Sequence, residues 1–167
     1  MMADGRVTYS QQQGWHVLHY MGKVDYTLAP AIDRFVDGLF GDGSVRPFMF
    51  DLTEARMLDS TNLGLIARAA DRVQSVGGPR SVIVCTSCDI EDVLGSMGFQ
   101  DIFDIVPEHP QTARDEAHEE AVTGAQSSQG ELLRTMLEAH RTLASLNEKD
   151  REQFKDVVSM LEAESRR

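Results

Sequence analysis

Along the first 106 residues, strand-like runs alternate with runs whose apolar residues recur every three or four positions. Val7 to Gln12 and Trp15 to Met21 read as two strands, and Gln13-Gly14 between them has the length and the glycine of a hairpin turn. Asp25 to Pro30 then turns the chain. In Ala31 to Phe40, Ile32, Phe35, Val36 and Leu39 share one helical face, and Gly41-Asp42-Gly43 ends that helix. Arg46 to Leu52 is almost continuously apolar from Pro47 onward, as in a strand buried on both faces, and a loop through Glu54 and Met57 is expected after it. Leu58 to Asn62 opens a helix with Leu63, Ile66, Ala67, Ala70 and Val73 on one side, stopped by Gly77-Gly78-Pro79. Ser81 to Cys85 predicts a buried strand, Ile90 to Met97 a short helix closed by Gly98, and Phe103 to Val106 a last strand. The order β-β-α-β-α-β-α-β predicts an α/β domain, a small mixed sheet with helices mainly on one side.

The remainder is patterned differently. Thr112 to Val122 predicts a polar helical segment, and Thr123 to Gly130 has the composition of a flexible linker. Two amphipathic helices come next, one with Leu133, Met136, Leu137, His140 and Ala144 on its stripe, the other with Phe154, Val157, Val158 and Leu161. Ser145-Leu146-Asn147 separates them; Asn147 suits a helix cap, and Glu148 and Asp150 suit the positive end of the helix dipole. Helices of this length are marginal alone, so the stripes must pack on each other, on the main domain or on a second copy of the chain. The expected division is a domain over residues 5–122, a linker over 123–130 and a C-terminal helical hairpin over 131–167.

A chain of 167 residues holds one ordinary domain and such an appendage. The formal net charge of -11 is spread along the chain with no basic segment. Phosphate contacts by Lys and Arg supply most nucleic-acid affinity, so DNA or RNA binding is disfavoured and a protein partner with a basic face is favoured. No window approaches the roughly 20 apolar residues of a membrane span. The first residues lack a basic stretch followed by an apolar run, so a cytoplasmic location is expected.

Candidate chemistry concentrates in Asp51 to Leu65. An apolar strand delivers the chain to Asp59 and Ser60, which stand where a helix leaves its first N–H groups unpaired. The pattern by itself explains both as helix-capping residues. The stretch Asp59-Ser60-Thr61-Asn62-Leu63-Gly64, preceded by a strand ending in Asp51, also resembles the signature of the STAS family of sigma-factor regulators, Asp-Ser-(Ser/Thr)-Gly-Leu-Gly. Gly22-Lys23-Val24-Asp25 resembles the family's Gly-x-x-Asp turn, and Gly98 to Phe103 its run into the last strand, so the likeness covers roughly residues 5 to 120. Asn62 departs from the pattern, standing where the family has glycine and adding a side chain beside Ser60.

The resemblance implies an anti-sigma factor antagonist that works by partner switching. In that scheme Ser60 is a phosphorylation site rather than a catalyst, Thr61 a secondary acceptor, and Asp25, Asp59, Thr61 and Asn62 belong to the partner-binding surface. It implies an anti-sigma factor that is also a serine protein kinase, a PP2C-type phosphatase, and no cofactor, metal or enzymatic activity. Phosphate adds about -1.5 to -2 charges at neutral pH, and Asp25, Asp51 and Asp59 are expected near it, so the modification releases the partner electrostatically. A different class of function is a STAS-like accessory or ligand-binding domain that regulates a transporter or another assembly.

Other residues carry weaker signals. Cys85-Thr86-Ser87-Cys88 is a C-x-x-C at a strand end, which raises thiol-disulfide chemistry as an alternative to two ordinary half-buried cysteines. His16 and His19, three apart on a strand, point to opposite faces and do not make a ligand pair. His109, His118 and His140 are isolated, and no nucleophile elbow, Walker loop or Rossmann glycine pattern is present.

Overall fold

Gln13 and Gly14 both take positive φ, 50° and 86°, which closes a two-residue turn between β1 (Arg6–Gln12) and β2 (Trp15–Val24). The structure, a computed structural model, describes residues 4–41, 43, 45–108, 119–124 and 126–167. A short 3-10 turn at Tyr26–Leu28 leads into α1 (Ala29–Leu39), whose first turn holds Pro30, where the missing N–H costs nothing. Then come β3 (Phe48–Leu58), α2 (Ser60–Ser75), β4 (Ser81–Val84), α3 (Cys88–Ser96), β5 (Phe103–Val106) and the two-residue β6 (Glu120–Ala121). The C-terminal hairpin consists of α4 (Gln129–Ser145) and α5 (Glu148–Ser165).

The strands form one mixed sheet in the order β5-β4-β3-β2-β1-β6. β2 to β5 pair in parallel, while β1 runs antiparallel to both β2 and β6. Alternation along β3 sorts the faces: Phe48, Phe50 and Leu52 enter the main core with Ile32 and Val36 of α1, Ile66 and Val73 of α2, and Leu94 of α3. Met49 points the other way, into a smaller cluster with Val17, Val82 and Val84. The helices therefore cover one face, as the pattern predicts. No helix among the described residues is long and apolar enough to cross a membrane.

Two expectations are corrected. The stretch through Glu54 and Met57 is not a loop but the second half of β3, held by β2 through the pairs Met21 with Glu54, Gly22 with Ala55, Lys23 with Met57 and Val24 with Leu58. Two register shifts in that ladder bend the pair without ending it. Residues 120–121, expected in a helix, instead add an edge strand to Thr8 and Tyr9. The rest of that polar segment, Thr112 to His118, lies outside the described residues.

The hairpin packs on its own chain. Leu143 of α4 and Phe154 of α5 are buried in the main core, and Ala139 is buried against Leu65 and Ala29. Its tip is fastened by Asn147, whose Oδ1 caps Asp150 N–H at 2.8 Å and whose Nδ2 donates to the Met97 carbonyl. Leaving water raises the Asp150 carboxyl above its ordinary range, against the opposing pull of Asn147.

Candidate functional site

The β2–β3 ladder places the site. Val24 and Leu58 are its last pair, so Asp25 and Asp59 each stand one residue beyond it, at the carboxyl ends of neighbouring parallel strands. Open α/β sheets characteristically present ligands and partners at this end. Both aspartates are N-caps: Asp25 accepts from Thr27 N–H at the 3-10 turn, and Asp59 accepts from Asn62 N–H at α2. The capping predicted from pattern is thus present.

Ser60 is the first residue of α2, directly after its cap, and it is half-buried. Its Oγ lies 2.8 Å from His140 Nε2 of α4. The other ring nitrogen, Nδ1, lies 2.7 Å from the Met136 carbonyl, which only accepts, so Nδ1 carries a proton. In the neutral ring Nε2 then accepts, and the Ser60 hydroxyl donates to it. Thr61 and Asn62 lie deeper, 2% and 1% exposed.

Asn62 uses its extra side chain structurally. Its Nδ2 donates to Asp59 Oδ1 at 2.9 Å and to the Val24 carbonyl at 3.3 Å, tying the start of α2 to the end of β2. Asn62→Ala is expected to lower stability by about 1–2 kcal/mol, since net hydrogen bonds contribute about 1 kcal/mol each. Urea unfolding monitored by circular dichroism measures it as a lower midpoint at unchanged slope.

The third expected acidic neighbour is elsewhere. Asp51 alternates with Phe50 and Leu52, so its side chain is on the sheet face away from the helices, where it accepts from Thr53 N–H and Oγ1. Of the three, Asp25 and Asp59 stand at the end of the sheet that carries Ser60. His16 and His19 do point to opposite faces: His16 bonds Tyr9 at 2.7 Å beside Phe48, while His19 pairs with Glu54 at 2.6 Å.

The cysteines do not resemble a reactive pair. Cys85 is buried and Cys88 exposed, and burial pushes the Cys85 thiol up, opposite to the lowered value of a redox nucleophile. Among the described residues no cluster of three His, Cys, Asp or Glu side chains is placed to hold a metal ion. Between the end of β3 and α3, a groove of about 150 Å³ is lined by Arg56, Met57, Leu58, Leu63, Asp89, Ile90 and Val93. Met57 and Val93 are exposed there, between the charged side chains of Arg56 and Asp89.

Solved structures share this fold. An anti-sigma factor antagonist from Mycobacterium paratuberculosis superposes with a TM-score of 0.55 at 19% identity, over 65% of this chain and 92% of that one. The Bacillus cell fate determinant SpoIIAA, solved in its phosphorylated form, gives a TM-score of 0.52 at 16% identity, over 61% and 92%. A search of curated proteins gave no match. The STAS domain family matches residues 6–113, which hold the whole sheet but β6 and the Asp25, Asp59 and Ser60 cluster, and the chain belongs to that family.

Proposed function

We propose that the protein is an anti-sigma factor antagonist that switches partners through phosphorylation of Ser60. The observation that carries this reading is the position of the Ser60 hydroxyl, one residue past the Asp59 cap at the carboxyl end of the parallel strands, inside the family motif. One structural neighbour is an anti-sigma factor antagonist and another was solved in a phosphorylated form, which supports this class of partner and a phosphate-based switch. The unmodified chain binds an anti-sigma factor that is also a serine kinase; ATP-dependent phosphorylation of Ser60 releases it, and a PP2C-type phosphatase resets the chain. Ser60 acts as a substrate, so no enzymatic activity of the chain is invoked, and the setting is a bacterial cytoplasm.

The local physics gives each residue a role. A helix N-terminus favours an added phosphate, yet Asp59 and Asp25 oppose its charge, and its bulk opposes a partner surface that fits the neutral serine. Asp25 and Asp59 shape the recognition surface directly, whereas Asn62 acts by holding them in place. Thr61 is buried, so accepting a phosphate there needs a wider opening than at Ser60.

The test is incubation with ATP and a candidate anti-sigma serine kinase from the same genome, with phosphopeptide mass spectrometry as the readout. Phosphate is expected on Ser60, and Ser60→Ala should abolish labelling. Equal labelling of Ser60→Ala, or phosphate found only elsewhere, overturns the reading.

A further inference from the structure

Ser60 is half-buried against α4, which α5 in turn backs through the contact of Phe154 with His140. Along α2, Ser60, Gly64 and Arg68 recur every four residues and so share one face. Each meets α4: Ser60 bonds His140, Gly64 lies against Ala139, and Arg68 pairs with Glu138 at 3.1 Å. The middle contact sets the spacing, because a Cβ on Gly64 would lie 2.4 Å from the Ala139 carbonyl oxygen. Only a residue without a side chain lets the two backbones approach this closely, and that approach brings the His140 ring onto the serine one turn away. An ion pair between Arg34 of α1 and Glu131 fastens the start of α4.

Such a seam opposes modification of Ser60. Phosphoryl transfer needs the donor phosphorus in line with the attacking oxygen, with room for three equatorial oxygens. The Ser60 hydroxyl instead directs its proton to an imidazole that is 4% exposed. A phosphate on Oγ would also have to share this space with His140 while the Gly64 contact leaves α4 no slack.

We propose that the α4–α5 hairpin is an autoinhibitory cap on Ser60, latched by His140 and seated on Gly64, which must lift before a kinase-type partner reaches the serine. The proposal rests on Ser60 being the modified residue and adds how access to it is controlled. Lifting the cap exposes Leu143 and Phe154, so the open state is the minor one. Partner affinity and phosphorylation rate are then reduced by the open fraction. The coupling is reciprocal: an event that requires the open state, once it has happened, holds the cap off.

A thiol probe tests the cover without any kinase. The full chain carrying Ser60→Cys, with Cys85→Ser and Cys88→Ser to remove background, is reacted with a chromogenic aromatic disulfide. The introduced thiol is expected to react about tenfold faster when His140→Ala or Ala139→Leu is added, matching a rise in the open fraction. Hydrogen exchange on the same samples should show β3 and β4 still protected, so that faster reaction reports opening of the cap and not unfolding. Equal thiol rates in the three chains, or gains that appear only where the sheet also loses protection, overturn the cap. Failure of the phosphosite reading has a different signature: the thiol rates still separate, but the kinase leaves Ser60 unlabelled.

Discussion

Replacing Phe154 by alanine is expected to lower the free energy of unfolding by about 3–5 kcal/mol, the range for deleting a buried phenylalanine ring. Phe154 lies on α5, near the end of the chain, yet its ring is buried in the core formed by Phe50, Ile66 and Leu94. It also meets the His140 ring edge-on, with centroids 5.9 Å apart, so the cavity would loosen the imidazole as well as the core. Met160 on the same helix is 69% exposed, and Met160→Ala should stay within about 0.5 kcal/mol of the parent. Urea unfolding of both variants gives the comparison. A loss below about 1 kcal/mol for Phe154→Ala would show that α5 only rests on a domain already complete without it.

The second large effect is on binding. Under the proposed function, the chain phosphorylated at Ser60 is expected to bind an anti-sigma factor at least about a hundredfold more weakly than the unmodified chain, a change near 3 kcal/mol. The phosphate brings almost two charges to a surface that already holds Asp59 and Asp25, and it fills space that a partner shaped to a neutral hydroxyl needs empty. Calorimetric titration of the same partner with the two forms measures the ratio. A difference under about threefold would mean that the modification does not act as a release signal.

Much of this organisation was legible in the chain. β5 and the body of α2 are direct consequences of apolar period and glycine stops, and the helix cap at Asp59 is set by residue type. The second half of β3 was hidden because Glu54, Arg56 and Met57 look like a loop; they are held extended by a parallel neighbour more than thirty residues earlier in sequence, which no local pattern encodes. β6 was hidden for the same reason, being only Glu120 and Ala121, too short for any period and held extended by β1. Asp51 was misplaced although its parity was readable: once Phe48, Phe50 and Leu52 are given to the core face, the residue between Phe50 and Leu52 must point away. The contact between Ser60 and His140 spans 80 residues and was not predicted. Its one sequence signal was a histidine on an otherwise apolar helical stripe, a polar group that burial obliges to find a hydrogen-bond partner.

The cover also has a place in the life history of each molecule. α4 and α5 come after the sheet in the chain, so a ribosome completes Asp25, Asp59 and Ser60 before it makes any part of the hairpin. At translation speeds of about 5–20 residues per second, synthesis from Gln129 to Ser165 occupies roughly 2–7 s. Under the proposed cap, a nascent chain would carry the serine helix before α4 and α5 are complete, and a kinase acting on Ser60 would meet it uncovered.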